Sequence, residues 1–117
     1  MDELLQRGIR LFNDGAFFQC HEVLEEAWTT ELGPRRLCLQ ALIHLAVGCY
    51  HHERANPAGA SRQLRKGLEK LAAYVPSWEG IDTARLHREI LATLQQIEAG
   101  APQSAYPQIH TSAAAGC

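Results

Sequence analysis

Residues 35–54 read RRLCLQALIHLAVGCYHHER, and this stretch decides the fold. Apolar side chains fall on almost every side of a helix drawn through it, a pattern typical of a helix buried among others. Gln40 and His44 interrupt the apolar run, whereas a membrane-spanning helix needs about 20 largely apolar residues. We therefore predict that residues 35–54 form the central helix of a bundle.

Helical periodicity continues on both sides of this stretch. The turn-forming sequence NDG at 13–15 ends a first helix. Asn56 is predicted to cap the fourth helix and Asp82 the fifth, because short polar side chains accept hydrogen bonds from the first turn. No segment shows the alternation expected of a β-strand. The predicted helices span about residues 2–12, 17–32, 35–54, 57–75 and 83–99.

A faint internal repeat indicates how the helices pair. The dipeptides GA at 15–16 and LE at 24–25 recur at 59–60 and 68–69, a shift of 44 residues in both cases. The repeat predicts two antiparallel helical hairpins that weakly resemble tetratricopeptide hairpins, although that repeat is 34 residues long. Two copies are too few for a solenoid, so we predict an all-α fold, a compact bundle of about five helices.

Composition describes an ordinary globular domain. The chain has 117 residues, of which 46% are hydrophobic and 21% charged, and a chain of this length and composition is expected to form one domain. We assign residues 1–100 to a single helical domain. Residues 101–117 are small and Pro-containing without a period, so we expect a flexible C-terminal tail.

Charge and cysteine usage limit the partners and the compartment. The formal net charge of −2 lacks the basic footprint of a nucleic-acid-binding protein. The N-terminal MDELLQRG has no apolar run behind it, so no signal peptide is expected. The four cysteines, Cys20, Cys38, Cys49 and Cys117, form no Cys-x-x-Cys pair, and we expect a reduced, cytoplasmic protein with no role assigned to Cys117.

The stretch FFQCHEVLEEAW, residues 17–28, carries the chemistry-bearing side chains. His21 and Glu25 are i,i+4 neighbours on the edge of the apolar arc, where they can bind one metal ion or each other. The sequence His-Glu-x-x-Glu differs by one residue from the zinc-protease motif. This predicts His21 and Glu25 as ligands of a divalent metal such as zinc, with Glu22 as the catalytic base.

Further ligands are available on the central helix. Gln40, His44 and His51 form a narrow polar stripe on it. If that stripe faces the second helix, its two histidines converge with His21 and Glu25 into a cluster suited to a first-row metal. The alternative is structural: the stripe is a solvent-facing or dimer-facing edge, and His21 with Glu25 is an ordinary hydrogen-bonded pair. Core or interface positions are expected for Phe17, Phe18 and Trp28.

Two longer segments resemble a known family. They are FNDGAFFQCHEVLEEAW at 12–28 and LQALIHLAVGCYHHERANPAGASRQLRKGLEKL at 39–71, and the family is catalogued as domain of unknown function 309. The resemblance implies a compact all-helical domain, and members are sometimes labelled metal-dependent hydrolases. Ala55 stands where the family has Gly. The residues on the family's motif are Phe12, Asn13, Gly15, Phe17, Phe18, His21, Glu22, Leu24, Glu25, Trp28, Gln40, Asn56, Gly59 and Ala60.

Two functions follow from these patterns. The favoured one is a binding or scaffold module, which meets a protein partner or forms a homodimer through a helical groove or surface. It predicts an exposed apolar patch near Phe18, Trp28 or Tyr50. The other is a metal-dependent hydrolase using His-Glu-x-x-Glu and a histidine of the third helix, which requires a pocket of at least a few hundred cubic ångströms. Neither a nucleic acid nor a membrane is expected as partner.

Overall fold

The computed structural model is an all-α bundle of five helices and confirms the predicted fold class. It describes residues 2–102 and 105–112. A single turn of 3-10 helix, Ala72–Tyr74, follows the fourth helix. No helix in this part of the chain has the length and apolar character needed to cross a membrane. The helices are α1 (Glu3–Asn13), α2 (Phe17–Thr30), α3 (Arg35–Glu53), α4 (Pro57–Leu71) and α5 (Thr83–Glu98).

Capping side chains begin three of the helices, because the first N–H groups of a helix have no partner within it. The Asp2 carboxylate accepts from Leu5 N–H at 2.8 Å in α1. The predicted caps of α4 and α5 are confirmed: Asn56 accepts from Gly59 N–H at 3.1 Å, and the carboxylate of Asp82 accepts from Arg85 N–H at 2.9 Å.

Two hairpins, α1–α2 and α3–α4, make up most of the bundle, and α3 packs against both α2 and α4. The predicted repeat is visible in the burial pattern. A shift of 44 residues carries the buried residues Cys20, Val23, Leu24 and Ala27 of α2 onto the buried residues Leu64, Gly67, Leu68 and Leu71 of α4. Burial on α3 extends over about half of its circumference, at Cys38, Leu39, Ala41, Leu42, Leu45, Ala46, Gly48 and Cys49.

Two glycines bring α3 and α4 into close contact. A Cβ placed on Gly48 would lie 2.6 Å from the Leu64 side chain and 3.2 Å from the Leu64 backbone nitrogen. A Cβ on Gly67 would lie 2.5 Å from the Leu45 side chain and 3.1 Å from the Ala41 carbonyl oxygen. Each helix therefore presents a notch to a leucine of the other, which fixes both their separation and their register.

The expectation that no strand forms is wrong in one detail. Ser77–Trp78 (β1) and Ile81–Asp82 (β2) pair antiparallel. Glu79 and Gly80 join them with φ angles of 47° and 82°, and two positive values are the requirement of the tight hairpin turn that matches strand twist. Strands of two residues are too short to show an alternating pattern.

Residues 105–112 lie along the bundle, in the region where the sequence predicts a flexible tail. Ile109 is 3% exposed, and its backbone N–H and carbonyl both bond to the Asn13 side chain, at 2.7 and 2.9 Å. Tyr106 packs edge-on against Phe17 with ring centroids 5.2 Å apart, and Thr111 bridges to Ile81. Cys117 lies outside the described residues.

Arg35 ties the start of α3 to three other parts of the chain. It bonds Asp2 at the start of α1 at 2.5 Å, Glu31 at 2.9 Å and Glu79 of the hairpin turn at 2.6 Å. Burial raises the pKa of the Asp2 carboxyl, but hydrogen bonds from Leu5 N–H and Arg35 outweigh it, so the net pKa is below its ordinary 3.8. Hydrogen bonding to Glu79 and Asp2 raises the pKa of Arg35.

We expect the charge of Asp2 to stabilise the fold only at pH values at which its carboxyl group is ionised. The variant Asp2→Asn keeps a capping side chain but loses the ion pair, so it should be about 0.5 kcal/mol less stable at pH 7, a surface-pair magnitude. A lowered native pKa stabilises above the unfolded value and is lost as the pH falls through the native value. The difference should therefore be complete above pH about 3.8 and shrink as the pH falls below that value, as measured by urea unfolding from pH 7 to 3. A difference independent of pH would contradict this.

We expect Gly67→Ala to destabilise the bundle even though Ala favours helices by about 1 kcal/mol. The added methyl group overlaps Leu45 and the Ala41 carbonyl, and overpacking costs about 1–3 kcal/mol. The free energy of unfolding in urea measures the effect. Arg62→Ala on the exposed side of the same helix is the control and should stay within about 0.5 kcal/mol of the parent. A stabilised Gly67→Ala protein would contradict the close packing.

Candidate functional site

His21 and Glu25 contact each other as their spacing predicts. A carboxylate oxygen of Glu25 lies 2.9 Å from Nε2 of His21, and the side chains of His21 and Glu25 are 28% and 53% exposed. The other ring nitrogen, Nδ1, lies 3.3 Å from the Phe18 carbonyl oxygen. Both nitrogens thus have partners within α2. The pair lies at the open edge of the helix, and Glu22 on the same helix is exposed.

The two histidines of α3 that were predicted as ligands, His44 and His51, lie beside α4 rather than α2. His44 Nδ1 lies 2.7 Å from the Gln63 side-chain oxygen on α4. His51 lies beside the start of α4, with Nδ1 3.3 Å from the Asn56 side-chain nitrogen. The condition for a shared cluster, that this stripe faces α2, is therefore not met.

Within residues 2–102 and 105–112, no three His, Cys, Asp or Glu side chains lie in an arrangement that holds a metal ion. The structure brings together two of the four predicted ligands, His21 and Glu25. The metal site and the role of Glu22 as a base stay predictions. Gln40 is half-buried on α3.

The one side of α3 that the core leaves open is the surface we call the α3 face. Its centre is Ile43 and Val47, two branched aliphatic residues that are only half-buried. Sequence reasoning found the polar members of this surface but not its aliphatic centre. The signal was present as the spacing of three and four residues from Gln40 to Tyr50, which is the repeat of helix-pairing seams. The α3 face consists of Gln40, Ile43, His44, Val47, Tyr50 and His51.

Aromatic contacts join the α3 face to α2. The ring of Phe18 lies 5.3 Å from that of Tyr50 and 5.6 Å from that of His21. Phe18 is 46% exposed, which places an apolar ring at the surface where the sequence predicted one. Arg54 covers the other side of Tyr50 at 5.6 Å.

Charges of opposite sign border the α3 face. On α2, Phe18, Glu22 and Glu25 are spaced i, i+4 and i+7 and form an acidic stripe along one side. On α4, the residues Gln63, Lys66 and Lys70 are spaced i, i+3 and i+7 and form a basic stripe along the other side. Phe18 contacts Tyr50 and Gln63 contacts His44, so each stripe adjoins α3.

Trp28 lies at the far end of α2 under an arginine. The Arg36 guanidinium is 3.7 Å from the centre of the indole ring, and it donates to the Trp28 and Glu31 carbonyl oxygens at 2.7 and 3.0 Å. Those carbonyls belong to the last turn of α2 and the residue after it. The Trp28 carbonyl also accepts from Glu31 N–H at 3.2 Å, and the guanidinium adds donors at a helix end where carbonyls lack the usual intrahelical partners. The buried indole N–H of Trp28 has no hydrogen-bond partner in the described part of the chain.

The thiols behind these helices are unsuited to nucleophilic chemistry. Burial raises the pKa of Cys20 and of Cys38 to about 12 and raises that of Cys49 as well. All three are free thiols. Because the thiolate is the reactive form of cysteine, they act as small apolar residues of the core.

A cavity of about 220 Å³ lies away from the α3 face, between the α1–α2 turn and residues 105–108. Its walls include Phe17 but none of the ionisable residues predicted as ligands. Its volume is below the usual range for small-molecule sites. The lining residues are Phe12, Asn13, Asp14, Gly15, Phe17, Ala105, Tyr106, Pro107 and Gln108.

Comparison with known proteins identifies the family. The family model described as "Domain of unknown function (DUF309)" matches residues 5–63, which run from α1 through the whole of α2 and α3 into α4. The chain belongs to the DUF309 family. The match includes the entire α3 face and the acidic stripe, and it ends before Lys66 and Lys70.

Two relatives in this comparison are longer proteins. "Uncharacterized protein YpuF" of Bacillus subtilis (strain 168) is 38% identical over 85 residues, which are 70% of this chain and 49% of YpuF. An "Uncharacterized protein" of Aquifex aeolicus (strain VF5) is 26% identical over 101 residues, 86% of this chain and 30% of that protein. The chain thus spans about half the length of the first relative and under a third of the second.

We expect Arg36→Lys to destabilise the protein although it keeps the positive charge. Lysine cannot place a flat cation over Trp28 while donating to both carbonyl oxygens, and losing the stacking and one hydrogen bond costs about 1–2 kcal/mol. Urea unfolding measures the loss. Arg88→Lys on the exposed side of α5 is the matched control and should change stability by less than about 0.5 kcal/mol. Equal stability of the two variants would contradict a role for Arg36 in fixing this end of α2.

Proposed function

We propose that the protein is a binding module that receives the surface of a protein partner on the α3 face. The observation that carries the proposal is the open side of the central helix, where Ile43 and Val47 are only half-buried while the opposite side of the same helix is fully buried. Aliphatic residues in the middle of such a surface gain free energy when a partner removes them from water, about 25 cal/mol per Å².

The composition around Ile43 and Val47 supports this role. Tyr50 and the exposed Phe18 extend the apolar centre along the helix pair, and aromatic residues are enriched at the centres of protein interfaces. The acidic stripe and the basic stripe form a charged rim, which favours one orientation of a partner over others.

The alternative, a metal-dependent hydrolase, has less support, because only His21 and Glu25 of its predicted ligands are in contact. We place the protein in the cytoplasm. The free, buried thiols of Cys20, Cys38 and Cys49 support a reducing compartment.

Photo-cross-linking in the cells that make the protein tests the binding module. The photoreactive residue p-benzoylphenylalanine replaces Gln40 on the α3 face in one variant and Arg88 on α5 in the control. We expect a discrete covalent adduct from position 40 and none from position 88, because only the former contacts a bound partner. The adducts are resolved by gel electrophoresis and their masses determined. No adduct at position 40, or equal adducts at both positions, would overturn the proposal.

A further inference from the structure

We infer that the partner of the α3 face is a second copy of this chain, bound about a two-fold axis that runs parallel to α3. This inference rests on the proposed function and names its partner. In such a pair the two α3 helices are parallel and face each other, and α2 of one copy lies opposite α4 of the other. The argument depends on the levels of the charges, on their signs and on the size of the surface.

The acidic and basic stripes lie at the same level of the bundle. Phe18 contacts Tyr50, and four residues further along α2, about 6 Å, lies Glu22. Because α3 runs antiparallel to α2, Glu22 is level with Ala46, which lies four residues before Tyr50. Gly48, two residues after Ala46, is level with Leu64 of the antiparallel α4, so Ala46 is level with the residue two positions after Leu64. Lys66 is therefore at the height of Glu22.

The hairpin repeat leads to the same pairing. The shift of 44 residues that superimposes the buried positions of α2 and α4 carries Glu22 onto Lys66 and Glu26 onto Lys70. At these two positions the hairpins carry opposite charges, whereas Glu25 is matched by Glu69 of the same charge. A two-fold axis parallel to α3 keeps heights unchanged, so it places Glu22 of each copy opposite Lys66 of the other.

The signs of the charges select this axis over its alternative. A two-fold axis perpendicular to α3 within the interface would set the acidic stripe against its own copy and the basic stripe against its own copy. Like charges facing each other are destabilising, whereas the parallel axis places the acidic stripe of each copy opposite the basic stripe of the other. Because the interface is isologous, each favourable contact occurs twice.

The centre and the size of the face fit a dimer. From Gln40 through Ile43 and Val47 to Tyr50 the spacing is three, four and three residues, the repeat with which two parallel helices pair. The 19 residues of α3 extend about 28 Å, and three helices about 8–10 Å apart are about 25 Å wide. Two such faces would bury about 1,400 Å², within the range of stable interfaces of about 1,200–2,000 Å².

Two arginines oppose the parallel arrangement, because Arg36 and Arg54 at the ends of the seam would each approach their own copies. The guanidinium of Arg36 is already bonded to two carbonyl oxygens and stacked on Trp28. Arg54 lies beside the Tyr50 ring. Both charges are at the solvent-exposed ends of the seam, where water and salt screen them within about 8 Å at physiological ionic strength.

Sedimentation equilibrium of the purified full chain, with charge-reversal variants, tests the inference. We expect the parent to sediment at twice the chain mass of 13.0 kDa, with Glu22→Lys or Lys66→Glu weakening the dimer about 10- to 100-fold. A 1:1 mixture of the two single variants restores opposite charges at both contacts, so dimerisation should return to the parental level. Arg88→Glu, on the exposed side of α5, is the control and should leave it unchanged.

Any of the following results overturns the inference. The parent protein is measured at about 0.1 mM, a concentration well above the dissociation constants usual for dimers, and again after 100-fold dilution. If it is monomeric at both concentrations, no self-association occurs. A dimer that the mixture of variants fails to restore shows that the axis is wrong. If the purified chain is monomeric while position 40 cross-links to a different protein in cells, the second-copy inference fails and the binding module stands. The circular dichroism and melting temperature of each variant separate loss of dimer from loss of fold.

Discussion

The contact between α3 and α4 is the constraint on which the rest of the structure depends. Gly48 of α3 admits Leu64, and Gly67 of α4 admits Leu45, so each helix holds the other at two points about one turn apart. Two contacts fix both sliding and rotation, because a side chain seated in a notch cannot move without overlapping backbone atoms. The direction in which α3 presents its remaining open side is a consequence of this contact.

That open side is narrow because α2 and α4 cover the flanks of α3 and the core covers its back. A helix in this position can expose only one stripe of residues. A half-buried polar side chain needs a hydrogen-bond partner, and His44 has one in Gln63 on the neighbouring helix. Ile43 and Val47 are only half-buried, although Ile43 also packs against the core, and a partner on the α3 face would complete the burial of both.

Much of the fold could be predicted from local sequence, and the arrangement of the site could not. Helix limits, the caps Asn56 and Asp82 and the central position of α3 follow from periodicity and from side chains close in sequence. The helical wheel gives the direction of His44 relative to its own axis but not which neighbour lies there, and that neighbour is α4 rather than α2. Residues 105–112 carry no periodic signal that would predict their position. The contact that holds them in place comes from Asn13, which lies 96 residues before Ile109 in the sequence.

The net charge of −2 conceals a separation of charge that only the fold makes visible. The residues of α2 include Glu22, Glu25 and Glu26 but no Lys or Arg. The positions of α4 that match Glu22 and Glu26 are Lys66 and Lys70, while Glu25 is matched by Glu69. A framework of two similar hairpins keeps the backbone geometry and inverts the charge at these two lysine positions from one side of α3 to the other. A surface whose two halves match in shape and oppose in charge is complementary to its own copy after a half-turn, and this makes self-association the simplest use of the α3 face.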